Sequence, residues 1–216
     1  MFQGFSDQTI DFLWGVRFNN NREWMNEHKQ KYRQVLLQPM TELAGEVHGQ
    51  MADRYPDARL QLHVSRIYRD ARRLHGRGPL KENLWFSLFG NREIRTHRPE
   101  FFFELTPEGY SFGLGVWSAR AEDMQRFRAS VLADPAPLTA LAERFAGQEL
   151  FRLEGDEYVR SMGQVSDLLR PWFQKKNFCL FCQRKYDRLV TSPALVGQLV
   201  EGFCSLMPYY DYFNAI

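Results

Sequence analysis

The chain has 216 residues, 44% hydrophobic and 25% charged, with a formal net charge of +2. That is long enough for one sizeable core and too weakly basic for a general nucleic-acid binder. No run approaches 18 apolar residues, which excludes a membrane-spanning helix.

The N-terminus, MFQGFSDQTIDF, has no basic start, no apolar run and no small-residue cleavage site, so no signal peptide is expected. Three cysteines, an odd number, point to thiols in a reducing compartment and hence to the cytoplasm. The 18 phenylalanines are read first as an aromatic-rich core. Stacking platforms for bases or sugars are the alternative.

Ser6 is placed to cap a helix that carries Ile10, Leu13 and Trp14 and runs to about Phe18. Asn19-Asn20-Asn21 breaks it, and a second helix begins near Arg22. From about Lys31 to Arg54 a helical stretch carries Tyr32, Val35, Leu36, Met40, Leu43, Val47 and Met51 on one face. Pro39 is expected to divide or kink it. Tyr55-Pro56-Asp57 is a turn. Leu60, Leu62 and Val64 then alternate with polar residues as a half-buried strand.

Phe101–Leu105, the turn Thr106–Gly109 and Tyr110–Trp117 read as strand, turn, strand. Ser118 caps a helix over 119–132, Asp134–Pro137 is a connector, and 138–145 is a short helix closed by Gly147. Leu150–Leu153 and Phe178–Cys182 are candidate strands, and 193–207 is helical by pattern. The expectation is a single α+β domain over 1–216. It has a helical N-terminal part, a small antiparallel sheet around residues 60–117 and helices after it.

One stretch, RIYRDARRLHGRGPLK over 66–81, carries a formal charge of +5. If the strand from Leu60 continues in register, Arg66 and Tyr68 share the face of Leu60 and Val64. Arg66 then sits at the core's edge and needs an anion. That anion is either an internal carboxylate, Asp70 or Glu104, or a ligand phosphate or carboxylate held by the guanidinium fork.

Gly76, Gly78 and Pro79 force a loop, which presents Arg72, Arg73, His75, Arg77 and Lys81. The candidate ligand-binding set is Arg66, Tyr68, Arg69, Asp70, Arg72, Arg77 and Lys81. Neither G-x-x-x-x-G-K-[ST] nor G-x-G-x-x-G is present. Tyr68, Tyr110 and Trp85 are candidates to line the same hollow, and Glu104 and Asp70 to act as acid–base groups.

Cys179-Leu180-Phe181-Cys182 lacks the further ligands that zinc requires and the exposed turn of a redox pair. A strand with Cys179 inward, or buried thiols, is expected. No metal and no cofactor is expected.

The blocks F-Q-G-F-S and N-N-N-R-E-W-M (Phe2, Gly4, Phe5, Ser6, then Asn19, Asn20, Arg22, Trp24 and Met25) are similar to F-x-G-F-[ST] and N-N-x-[RK]-x-W-F. These open a widespread family of conserved hypothetical proteins catalogued as a domain of unknown function. The basic stretch resembles that family's R-I-Y-R-D-T-R-F-S-K-D-K-T-P-Y-K at Arg66, Tyr68, Arg69, Asp70, Arg72, Pro79 and Lys81. Arg77 stands for a lysine and Leu80 for a tyrosine. Tyr110 to Trp117 resembles its glycine-rich hairpin.

The resemblance reaches about residue 132, and the segment Asn177 to Arg184 departs from the family's pattern. It implies an α+β single domain in a bacterial cytoplasm, with Asn19, Asn20 and Trp24 near the basic block. It supplies no activity. Three functions stay open: an anionic small-molecule site, with or without catalysis; a nucleic-acid partner; and a structural or protein-interaction domain with internally paired arginines. No membrane partner is expected, and the oligomeric state is not legible.

Overall fold

The computed structural model describes residues 1–70, 72, 74, 76–90 and 97–215. Helices α1 (Asp7–Phe18), α2 (Arg22–Glu27), α3 (Lys29–Tyr32) and α4 (Gln38–Arg54) precede strands β1 (Gln61–Val64), β2 (Leu84–Phe89), β3 (Glu100–Thr106) and β4 (Gly109–Val116). After them come α5 (Ala121–Ala133), α6 (Ala136–Ala146), β5 (Arg152–Glu154), α7 (Arg170–Phe173), β6 (Phe178–Lys185) and α8 (Leu195–Asn214). Among the described residues the strands form one open antiparallel sheet in the order β1-β2-β3-β4-β6-β5. The class is α+β, as the pattern predicts.

The sheet is larger than the expected 60–117 block. Strand β2 is absent from the expected elements because Leu84 to Phe89 shows no polar alternation. Nearly all of it is buried, and a strand covered on both faces loses its period-2 signature. β5 and β6 extend the sheet further, pairing antiparallel with Leu153 opposite Leu180. On β6 the buried side holds Phe178, Leu180 and Cys182. Cys182, rather than the expected Cys179, is therefore the inward thiol. No described cysteine is in a disulfide.

Packing distinguishes two compact units. The first comprises Met1–Leu88, Phe102–Ser111 and Gln183–Glu201. Its core gathers Phe5, Phe12, Leu36, Met40, Leu43, Val47, Ile67, Phe86 and Phe103, all buried. Each such side chain contributes about 1.5–3 kcal/mol of burial.

The second unit comprises Phe89–Phe101, Phe112–Cys182 and Gly202–Ile216. Phe101 packs on Phe203, and Phe178 stacks on Phe213. Buried Arg128 is satisfied without a carboxylate, donating to the carbonyls of Met124, Phe173 and Lys175. Most of the phenylalanines are thus core rather than platforms, Phe18 being exposed.

Pro39 does not end the long helix. α3 runs through a π-helical turn, Arg33–Leu37, into α4, with Pro39 in the first turn of α4. Proline offers no N–H to the carbonyl four residues back, that of Val35. Buried Thr9 of α1 donates its hydroxyl hydrogen to Val35 O at 2.7 Å. The Thr9 hydroxyl oxygen in turn accepts the Ser6 N–H at 3.1 Å, closing the cap of α1.

Candidate functional site

The basic stretch is built as a ribbon, within the first unit. Ser65 N–H donates to Trp85 O at 2.8 Å, Lys81 N–H to Ile67 O at 2.7 Å, and Arg69 N–H to Pro79 O at 2.8 Å. Residues 65–69 thus run antiparallel to 79–85, with Tyr68 opposite Leu80, and the chain reverses between the two. Gly76 takes φ of 77° there, a conformation in which a side chain is strained.

The register differs from the one expected. The Ser65 hydroxyl accepts the Trp85 N–H at 3.1 Å, which turns Ser65 inward, and the chain bends at Ile67. Ser65 and Ile67 are buried, while Arg66 and Tyr68 are exposed. Arg66 therefore pays no core-edge desolvation, and the requirement for an internal anion there falls away.

Asn20 locks the ribbon's end. Its Nδ2 donates to Leu80 O at 3.0 Å, and its Oδ1 accepts the Leu80 N–H at 2.8 Å. Arg69 Nε donates to the same Leu80 carbonyl at 2.9 Å. The N-N-N-R segment and the basic stretch therefore meet. Between them lies a hollow of about 350 Å³ lined by Arg22, Asn26, Tyr68, Arg69, Leu74 and Pro79. Two guanidinium groups, an amide and a phenol face this space, and among the described residues no carboxylate lines it. Among the described residues Arg22, Arg66, Arg69 and Arg77 make no ion pair.

Asp70 turns locally instead. It accepts the Arg72 N–H at 3.0 Å and pairs with Arg72 Nη2 at 2.9 Å. Arg72 is 89% exposed, so that pair is solvated and contributes little. Arg77 is exposed, its N–H closing the turn to Leu74 O at 2.7 Å. Arg73 and His75 lie outside the described residues.

Of the aromatic candidates only Tyr68 lines the hollow. Tyr110 is buried, its hydroxyl donating to Asp187 at 3.2 Å. Trp85 lies under Lys81, whose Nζ is 5.6 Å from the ring centroid. Trp24 packs on His28 and against Gly15.

Behind the ribbon stands a second group of side chains. Half-buried Lys81 has its amine lowered to about 8 by burial and by the charges of Arg66 and Arg69, against the opposing pull of Glu104. Glu104 is itself raised by burial, although Asn83, Ser111 and Lys81 all favour its ionised form. Asn83 Nδ2 donates to Glu104 Oε1. The nearby carboxylates of Glu82 and Glu108 are engaged by Arg17, at 2.6 Å for Glu82. Glu104 and Asp70, both candidate acid–base groups, thus stand in different surroundings. Glu104 is held with Lys81 and Asn83, and Asp70 with Arg72.

Arg22, Asn26 and Asn83 were not singled out as ligand groups by the sequence. The available signal was the asparagine run, in which Asn21 caps α2 and so sets Arg22 in its first turn, next to Asn20 and the Leu80 that it binds. Among the described residues no group of three or more His, Cys, Asp or Glu side chains is placed to hold a metal ion. No described helix is long and apolar enough to cross a membrane.

No curated protein matches the chain. The model of a family described as conserved hypothetical protein (DUF2461) matches residues 8–212, across both packed units, and the chain belongs to that family.

Proposed function

We propose that this chain binds a small molecule through an anionic group, phosphate or carboxylate, in the hollow between α2 and the arginine-rich ribbon. The observation that carries this reading is the pairing of Arg22 and Arg69 around one cavity with no carboxylate among its described lining residues. Guanidinium forks suit planar or tetrahedral oxyanions. Asn26 and the Tyr68 hydroxyl add neutral donors. Arg69 is preset by its bond to Leu80 O, so it loses little side-chain freedom on binding. We place the protein in the bacterial cytoplasm, on the family resemblance and the odd cysteine count.

The test is thermal unfolding at fixed ionic strength with inorganic phosphate, sugar phosphates, dicarboxylates and a short oligonucleotide. A ligand at 100 times its dissociation constant adds roughly 2.7 kcal/mol. The expected result is a selective shift that Arg22→Ala and Arg69→Ala each abolish. A response no larger than that to chloride rejects the site. A response confined to the oligonucleotide, falling steeply with salt, assigns the surface to nucleic acid instead.

A further inference from the structure

We propose that the hollow selects an aryl oxyanion: a phosphate or carboxylate joined to one flat apolar ring. This names the ligand class of the proposed site and rests on that reading for the anion's place. The division of the described lining carries it. Arg22 and Arg69 supply two guanidinium groups, while Leu74, Pro79 and the ring of Tyr68 supply apolar surface. All five belong to the first packed unit.

The polar side is held by two elements. Asn21 caps α2 by accepting the Trp24 N–H at 2.8 Å. Arg22 and Asn26 follow in that helix four residues apart, a spacing at which side chains share a face. On the ribbon, Arg69 commits its Nε to Leu80 O at 2.9 Å. Its two Nη groups remain to meet an oxyanion, a fork that matches two oxygens of one phosphate or carboxylate.

The apolar side is held by a turn and by the ribbon. Arg77 N–H closes onto Leu74 O at 2.7 Å. Gly76 lies within that turn at φ 77°, a conformation that turns assign to glycine. The turn fixes where Leu74 meets the hollow. Pro79 accepts the Arg69 N–H at 2.8 Å through its carbonyl, so it stands beside Arg69 in the ribbon.

A ring satisfies both sides and a polyol does not. The face of a ring suits the Tyr68 ring and the planar guanidinium groups. Sugar hydroxyls set against Leu74 and Pro79 would leave water without gaining partners, which is unfavourable. The size agrees. The volume of about 350 Å³ lies at the low end of small-molecule sites, roughly 300–1,000 Å³. It holds about a dozen water volumes, enough for one ring with its oxyanion and short of a nucleotide.

The test is calorimetric titration of the intact chain at pH 7 and fixed ionic strength. The probes are inorganic phosphate, glycerol 3-phosphate, phenyl phosphate, lactate, benzoate and phenol. The aryl member of the phosphate or carboxylate pair is expected to bind about tenfold more tightly than its hydroxylated partner, the gain from burying roughly 55 Å² of ring. Whichever pair binds more tightly names the oxyanion. Phenol, with the ring and no charge, should bind most weakly of the aryl probes. Leu74→Ser should cut the aryl advantage to about threefold or less and leave the affinity for inorganic phosphate unchanged. Arg22→Ala should weaken every anion.

Phosphate bound through Arg22, with no preference for either aryl probe, overturns the inference and leaves the anion site standing. No anion exceeding chloride removes both. An aryl preference that survives Leu74→Ser and Arg22→Ala undiminished places the ring elsewhere on the chain and overturns the inference as well.

Discussion

Asn20 holds Leu80 by both backbone groups, as a neighbouring strand would. Its amide donates to the carbonyl at 3.0 Å and its oxygen accepts the N–H at 2.8 Å. Because Arg69 Nε shares that carbonyl, Asn20 orients the arginine as well as the ribbon. Asn20→Ala is expected to lower stability by about 1–3 kcal/mol through unsatisfied backbone groups. It should also weaken phosphate binding although Asn20 does not line the hollow. Urea unfolding with phosphate titration checks both. Unchanged affinity in a destabilised variant would separate the clamp from the site.

Gly78 completes the same clamp. A Cβ there would sit 2.2 Å from Asn20 Oδ1, too close for both to keep their positions. Gly78→Ala should therefore cost about 1–3 kcal/mol, as overpacking does. In the Asn20→Ala background the cost should largely vanish, because the obstructing atoms are gone. A double-mutant cycle measures the coupling. Additive costs would mean that Gly78 serves the backbone rather than Asn20.

These contacts mark what a linear reading of the chain reaches. The helices of residues 7–54 and the hairpin at 106–109 follow from local periodicity and turn chemistry, and each appears where those rules put it. Arg66 does not, because one hydroxyl, that of Ser65 on the Trp85 N–H, decides which way the ribbon faces. Arg22 enters the hollow only because Asn20 binds a backbone sixty residues away. β2 escaped because burial on both faces erases alternation. The misses share a cause: long-range pairing chose among conformations that local sequence left equal.

Thr9 offers a sharper test of such pairing. Its hydroxyl accepts from Ser6 N–H and donates to Val35 O, next to the turn where Pro39 supplies no donor. Thr9→Val keeps the shape and orphans both groups. The expected loss is about 1–3 kcal/mol, larger than Thr9→Ser, which keeps the hydroxyl. Chemical denaturation of the pair decides. A loss in Thr9→Val no larger than in Thr9→Ser would mean that the two hydrogen bonds weigh no more than the methyl packing that Ser removes.

Lys81 sets a slope in stability against pH. In the unfolded chain its amine titrates near 10.5, and in the folded chain near 8. A group whose folded value is lowered favours the fold above its unfolded value, and that contribution is lost as pH falls through the folded value. The wild-type chain should thus gain stability from pH 8 to 10.5 through this residue. Lys81→Met keeps the unbranched stem over Trp85 and removes the ammonium, so it should lack that slope. It should unfold about 2–4 °C higher at pH 7, the shift that about 1 kcal/mol gives in a chain of this size. The figure already allows for solvent screening of a half-buried amine.

The gap should close by pH 10.5. At the acid end Glu104 acts with the opposite sign. Its folded value is raised, so its contribution is present below the usual carboxylate range and is lost as pH rises through the folded value. Without the Lys81 charge that favours the Glu104 carboxylate, this acid limb should move to higher pH in the Met variant. Melting curves of both proteins from pH 4 to 11 test the two limbs together. Parallel curves from pH 8 to 10.5 would show that Lys81 is solvated as any surface lysine is.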